Sequence, residues 1–312
     1  MTDFGVGGLR LDSINNVGNW DFVRAYKEKA WELYNARYGA AADASKFLVV
    51  GEELSMPLDM VHQGVLDALW NEPWQDRLRA ALLGRGDDFE WTVRKLADCT
   101  QDGFSDGAQA INYITSHDIE SDPRDRKCRL FDFCRLNGVW DVERRARLAF
   151  ALLLTSVGIP MIFAGEEFAD QQDQSRDDIG QKQVDPVNYE RAKDGGWRED
   201  LFGYVSRLVR FRTTCPALGA DDTDFFHVDR SRDARIMAWK RGGGGSGTDP
   251  VVVVVNFTDH NTPGSEYAIP NWPDRERPGW REVSQDREVP AEWVGREPLM
   301  AWEAKVYTCW RP

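Results

Sequence analysis

Hydrophobic and polar positions along the first two thirds of the chain switch between two periods. Short apolar or β-branched runs predict strands over Gly7–Asp12 (GGLRLD), Phe47–Glu52 (FLVVGE), Gly64–Trp70 (GVLDALW), Ala110–Thr115 (AINYIT) and Ile159–Gly165 (IPMIFAG). FLVVGE is an unbroken apolar run of the kind buried on both faces of a sheet. Helical spacing predicts helices over about Val17–Tyr38, with Trp20, Val23, Trp31 and Leu33 among its apolar positions, and over Gln75–Leu83 and Arg144–Ser156. A closing helix is predicted over Leu201–Thr213, where Leu201, Val205, Leu208 and Phe211 recur at helical spacing. Strand–helix alternation at this rhythm predicts an α/β fold with a parallel sheet.

After Pro216 the texture changes. Short strands are predicted at Phe225–Val228, Ala234–Lys240, Val251–Phe257 and Ala304–Cys309, separated by turn-rich stretches, GGGGSG (Gly242–Gly247) and NWPDRERPGW (Asn271–Trp280). This reads as a small antiparallel β domain of roughly 90 residues, giving units 1–216 and 217–312. Strands flank the Gly/Ser run on both sides, so it reads as a hairpin loop rather than an interdomain linker.

Composition narrows the classes of function. The chain has 312 residues and 42% hydrophobic content, enough for a real core. Its 39 Lys+Arg against 52 Asp+Glu give a formal charge of −13, a poor footprint for nucleic acid or an anionic membrane. No apolar run approaches the ~20 residues of a membrane helix, and MTDFGVGGLRLD has neither the basic nor the apolar region of a signal peptide. Five scattered cysteines with no CxxC favour a reduced compartment, so the expected location is the cytoplasm. No cofactor or metal-ligand set is expected. The 13 Trp suit flat apolar ligands such as sugar rings, although Trp is also ordinary core material.

In parallel α/β folds function gathers where strands end. The first predicted strand ends in Arg10-Leu11-Asp12, the second in Gly51-Glu52-Glu53 and the fourth runs into Ser116-His117-Asp118. Singly, each has an ordinary reading: a turn or cap Asp, a surface Glu pair, a structural His-Asp. Three strands delivering carboxylates to one face, with an Arg and a His, point instead to a site.

These segments carry a resemblance to the α-amylase superfamily (glycoside hydrolase family 13). GLRLDSINN resembles the end of that family's fourth barrel strand, LVVGEEL the general-acid motif of the fifth, and INYITSHD the His-Asp motif of the seventh. DALWNEPW falls where a sixth strand would, and GIPMIFAGEEF resembles the eighth strand of branching and trehalose-releasing members. The resemblance implies a partial (β/α)8 barrel holding strands four to eight, followed by an antiparallel β-sandwich domain. It implies Asp12 as nucleophile with Arg10 as its positive neighbour, Glu52 as acid/base, and Asp118 stabilising the oxocarbenium-like state while His117 binds the same ring. Two readings of Trp70 stand open, a sugar-subsite wall and core packing. Glu53 is read as a loop ligand, and Glu166 and Glu167 as partners of local Arg or backbone groups. Asp185 to Tyr189 (DPVNY) resembles a βα-loop feature of related enzymes.

The implied activity is a retaining α-glucan hydrolase acting on α-1,4/α-1,6-linked glucose polymers or malto-oligosaccharides. The alternatives are a branching transglycosylase, or a non-catalytic fragment or carbohydrate-binding subunit. The family's first three strands, with a motif carrying an Asp and an Asn-His pair, are not recognised in the sequence. The expectation is therefore that Met1 is internal to a longer enzyme and that the barrel piece alone is inactive. Oligomeric state is left open.

Overall fold

The computed structural model describes residues 5–85, 88–118, 128–173, 186–244, 247–262 and 267–312. Five parallel strands pair in chain order: β1 (Gly8–Leu11), β2 (Leu48–Gly51), β3 (Ala68–Trp70), β4 (Ala110–Tyr113) and β5 (Ile159–Met161). Around them run α1 (Trp20–Tyr38), α2 (Asp59–His62), α3 (Glu72–Leu82), α4 (Phe89–Ala97), α5 (Leu130–Leu136), α6 (Val142–Thr155) and α7 (Trp197–Thr214). This is the parallel sheet that the alternation predicts, in the partial barrel that the family resemblance implies.

Local chemistry explains the element ends. Asn19 caps α1 through Phe22 N–H, Asn71 caps α3 through Trp74 N–H with Pro73 in the first turn, and Asp88 caps α4 through Trp91 N–H. In α1 the buried side chains are Val23, Ala30 and Tyr34, whereas Trp20 is 38% exposed. Polar residues between Val23 and Trp31 had blurred that stripe. The predicted strand over 64–70 begins only at Ala68, because Val65 and Leu66 donate their N–H groups to Met60 O and close a turn after α2. The helices α4 and α5 were not legible in the pattern. Each is under three turns, and α4 draws its buried face from Val93, Leu96 and Ala97 alone.

Side-chain alternation divides the parallel sheet. Val49, Leu69 and Ala110 face outward to a cluster that includes Val23, Tyr34 and Phe47. Val50, Ala68, Trp70, Ile111, Tyr113, Ile159 and Met161 form the inner layer. Gly51 lets β2 pass close to its neighbours, since a Cβ there would lie 2.4 Å from Leu66 Cδ1. The apolar run of β2 is thus shared between the two faces.

The C-terminal strands form one antiparallel sheet: β6 (Thr223–Asp229), β7 (Ile236–Arg241), β8 (Val251–Asn256), β9 (Arg281–Glu282), β10 (Arg287–Glu288) and β11 (Glu303–Thr308), in spatial order β10-β9-β11-β8-β7-β6. The Gly/Ser run joins the paired strands β7 and β8, as a hairpin connection. Val251, Val253 and Val255 pack with Met237, Trp239 and Val306 against the helices in one continuous core. Val252 and Val254 face the other way, onto Ile269, Trp272, Trp280 and Leu299. Both faces of β8 are buried, which is why five consecutive valines are tolerated there. The second layer of this unit is built from that loop-rich stretch rather than from a second full sheet.

Candidate active site

The period-two geometry of β1 and β2 fixes which side chains meet. Arg10 pairs in register with Val50, so Arg10, and Asp12 two residues on, share the inner face with Val50 and Glu52. The Arg10 guanidinium bridges two carboxylates. Its Nη1 lies 2.7 Å from Asp12 Oδ1, and its Nη2 donates to Glu52 Oε2. Glu52 Oε2 also accepts from the Ser13 backbone N–H at 3.3 Å. Asp12 is 73% exposed at its side chain, facing open space, while Glu52 is 5% exposed.

The two carboxylates therefore sit in unlike surroundings. Burial raises the pKa of Glu52, against the Ser13 N–H and Arg10, which lower it; the neighbouring Asp118 carboxylate raises it further. Glu52 Oε1 is buried and has no hydrogen-bond partner among the described residues. A buried carboxyl with a raised pKa and an exposed carboxyl on the same guanidinium are groups of the kind that general-acid and nucleophilic chemistry uses.

From β4, the chain turns so that His117 and Asp118 reach the same place. His117 Nε2 lies 3.4 Å from Asp118 Oδ1, and donor atoms of Glu52, His117 and Asp118 all fall within 4.8 Å of one another. Among the described residues these three form the one cluster with metal-ligand spacing, but the cationic Arg10 already occupies Glu52 Oε2 and opposes a metal ion there. Trp70 is 5% exposed: Arg10 lies over its ring at 4.9 Å, Tyr113 packs on it at 5.3 Å and His117 meets it edge-on at 5.9 Å. With Arg10 and Tyr113 against it, Trp70 serves here as the floor that holds Arg10 and His117, and it does not offer a free sugar platform. Tyr113, which sequence reasoning did not single out, forms the same floor; its alternation with Ile111 was the available signal. Glu53 points away and is held by Ser55 N–H and Oγ. Asp185 lies outside the described residues; Asn188 caps a short turn through Glu190 N–H.

A second acid network lies just below. Glu166 is 1% exposed and accepts from the Leu130 N–H at 3.2 Å, with Arg79 and Arg129 nearby. Arg79 donates to Thr115 Oγ1 and Cys128 O, and Arg129 to Ala164 O. Glu167 accepts from Gly165 N–H at 2.8 Å. These contacts tie the end of β4, which leads to His117, to the loop after β5. Burial pushes Glu166 up to about 7, against both arginines. A raised native pKa means the folded state binds more protons than the unfolded state between about pH 4.5 and 7. Stability should therefore fall by up to about 3 kcal/mol as pH rises through that window, and Glu166→Gln should flatten the slope. Urea unfolding of both proteins at pH 5, 6, 7 and 8 checks this, and parallel slopes would refute it.

No family model matches the chain. The curated alpha-amylase MalA of Haloarcula japonica is 26% identical over 265 residues, covering 81% of this chain and 34% of that protein. This chain thus spans about a third of that relative's length. A pullulanase from Bacillus acidopullulyticus superposes with TM-score 0.69 at 16% identity, over 98% of this chain and 38% of its own. AmyP in complex with maltose gives 0.68 at 15%, over 100% and 65%. An alpha-amylase from Geobacillus thermoleovorans, complexed with acarbose, gives 0.64 at 17%, over 97% and 60%. The fold is a partial (β/α)8 barrel with a C-terminal β domain. The chain shares that fold with the pullulanase, AmyP and the Geobacillus alpha-amylase.

Proposed function

We propose that this polypeptide carries the reaction centre of a retaining α-glucan-active glycoside hydrolase. The observation that carries the reading is Arg10 bridging an exposed Asp12 and a buried Glu52, with Asp118 and His117 brought alongside from β4. Asp12 attacks the anomeric carbon and forms a C1–O ester as the glycosidic bond breaks; Glu52 gives its proton to the departing oxygen. Glu52 then takes a proton from water, which attacks C1 and frees Asp12. Asp118 and His117 hold the ring's hydroxyls, and Trp70 and Tyr113 keep Arg10 in place. The ligands in complex with two of the structural neighbours, maltose and acarbose, support α-linked glucose chains as the substrate class. Branching, the alternative, uses the same intermediate with a sugar hydroxyl as acceptor.

The test uses the chain alone and the chain with any coding sequence that precedes it in frame, each incubated with maltoheptaose. Proton NMR of early products should show the α-anomer before mutarotation. A β-anomer product, or no turnover of any α-glucan by either form, overturns the reading. New α-1,6 branch signals without net release of reducing ends would select the branching alternative.

A further inference from the structure

A cleft of about 600 Å³ opens between the helices of the barrel and the C-terminal sheet, far in sequence from the strand-end residues of the site. Its floor is a buried cation. Arg145, on α6, is 8% exposed and lies over the Trp302 indole at 3.1 Å. Its Nε and Nη1 have no hydrogen-bond partner among the described residues. The nearest carboxylate oxygen, Asp259 Oδ1, is 3.9 Å from Nη2 and already accepts from Trp302 Nε1 at 2.6 Å. That carboxylate is 80% exposed, so it neutralises Arg145 poorly.

A buried guanidinium is normally matched by a close acceptor, because removing it from water costs several kcal/mol otherwise. Here the indole face compensates part of the charge, and two buried N–H groups, Nε and Nη1, stay without an acceptor among the described residues. Arg235 and Arg230 line the same cleft. Arg235 is anchored through Nη1 to Gly84 O, and Arg230 is held at the rim by Asp88 and Glu90. Three arginines line the concavity together with Asp233 and Asp259; Arg230 is matched at the rim by Asp88 and Glu90, which leaves Arg145 and Arg235 as the cations facing the cleft.

We propose that this cleft is a binding site for an oxyanion, a phosphate monoester of about sugar size, with the anion on Arg145 and Arg235. The guanidinium forks match a tetrahedral oxyanion, and Asp233 and His260 in the wall offer groups for hydroxyls of the attached sugar. The site is independent of the proposed glycosidase chemistry: neither stands on the other.

Calorimetric titration of the chain with inorganic phosphate, glucose 6-phosphate and glucose tests it. The phosphates should bind and glucose should not, with the ester binding more tightly than phosphate. Arg145→Met should weaken phosphate binding by at least about tenfold, the scale of one lost charge-assisted contact. The melting temperature separates this from a structural role. If Arg145 waits for a ligand, Arg145→Met leaves unliganded stability unchanged or higher, because an unmatched buried charge is removed. Arg235→Gln, which also gives up the hydrogen bond to Gly84 O, should weaken phosphate binding with no more than a small drop in melting temperature. Equal affinity for phosphate in all three proteins, absence of binding to the unsubstituted chain, or glucose binding as well as its phosphate would each overturn the proposal.

Discussion

Asp12→Asn is expected to lower kcat on malto-oligosaccharides by about 10⁴-fold or more in any form of this polypeptide that turns them over, the scale seen when a nucleophile is removed. The amide keeps the size of the side chain and its place beside Arg10, but it cannot form the glycosyl ester. Glu52→Gln should behave differently. It removes the proton donor, which contributes about 10²–10⁴-fold where the leaving group needs protonation. On α-glucosyl fluoride, whose leaving group departs without a proton, the first step of the Gln variant should be nearly normal. The pair of variants is read by steady-state kinetics on maltoheptaose and by the pre-steady-state burst of fluoride release, which reports the first step alone. Retention of full rate by Asp12→Asn, or loss of the fluoride burst in Glu52→Gln as large as its loss on maltoheptaose, would remove these roles.

Trp239→Ala should cost about 3–5 kcal/mol of unfolding free energy, the range for emptying a large buried aromatic site. Trp239 lies at 0% exposure on β7, against Phe225 at 6.0 Å, in the cluster that continues from Leu78 and Leu152 to Val253 and Val306. Because that cluster is shared by the barrel helices and the C-terminal sheet, the loss should appear in a single urea transition followed by tryptophan fluorescence and far-UV circular dichroism alike. Two separate transitions in the unsubstituted chain, with only one shifted by the substitution, would show that the two units hold their own cores.

Periodicity made the framework legible. Strand-length apolar runs bounded by turn residues located all five parallel strands, and the long helices α1, α3, α6 and α7 showed in their apolar spacing. The elements that escaped share a physical trait: α2, α4, α5, β9 and β10 are short, and their apolar residues are too few to impose a period. The predicted strand over 64–70 ran too far back because Val65 and Leu66 are apolar for a different reason, filling the core under a turn.

At the candidate site, the sequence determined which groups are available and on which face. Two residues' spacing puts Arg10 and Asp12 on one side of β1, and the switch at Gly51 leaves Glu52 inward and Glu53 outward. The tertiary structure decided what each group is. Only the pairing of β1 with β2 makes Arg10 a bridge between two carboxylates; only burial and the approach of Asp118 raise Glu52 and leave Asp12 open. Trp70 shows the same limit in reverse, because its residue type fits a sugar wall or a floor equally well and the packing of Arg10 and Tyr113 chooses the floor. Side-chain direction along a strand is a local, period-two property that sequence carries. Desolvation and charge proximity depend on which strands become neighbours, and those contacts, 42 residues apart for Arg10 and Glu52, exist only in the folded chain.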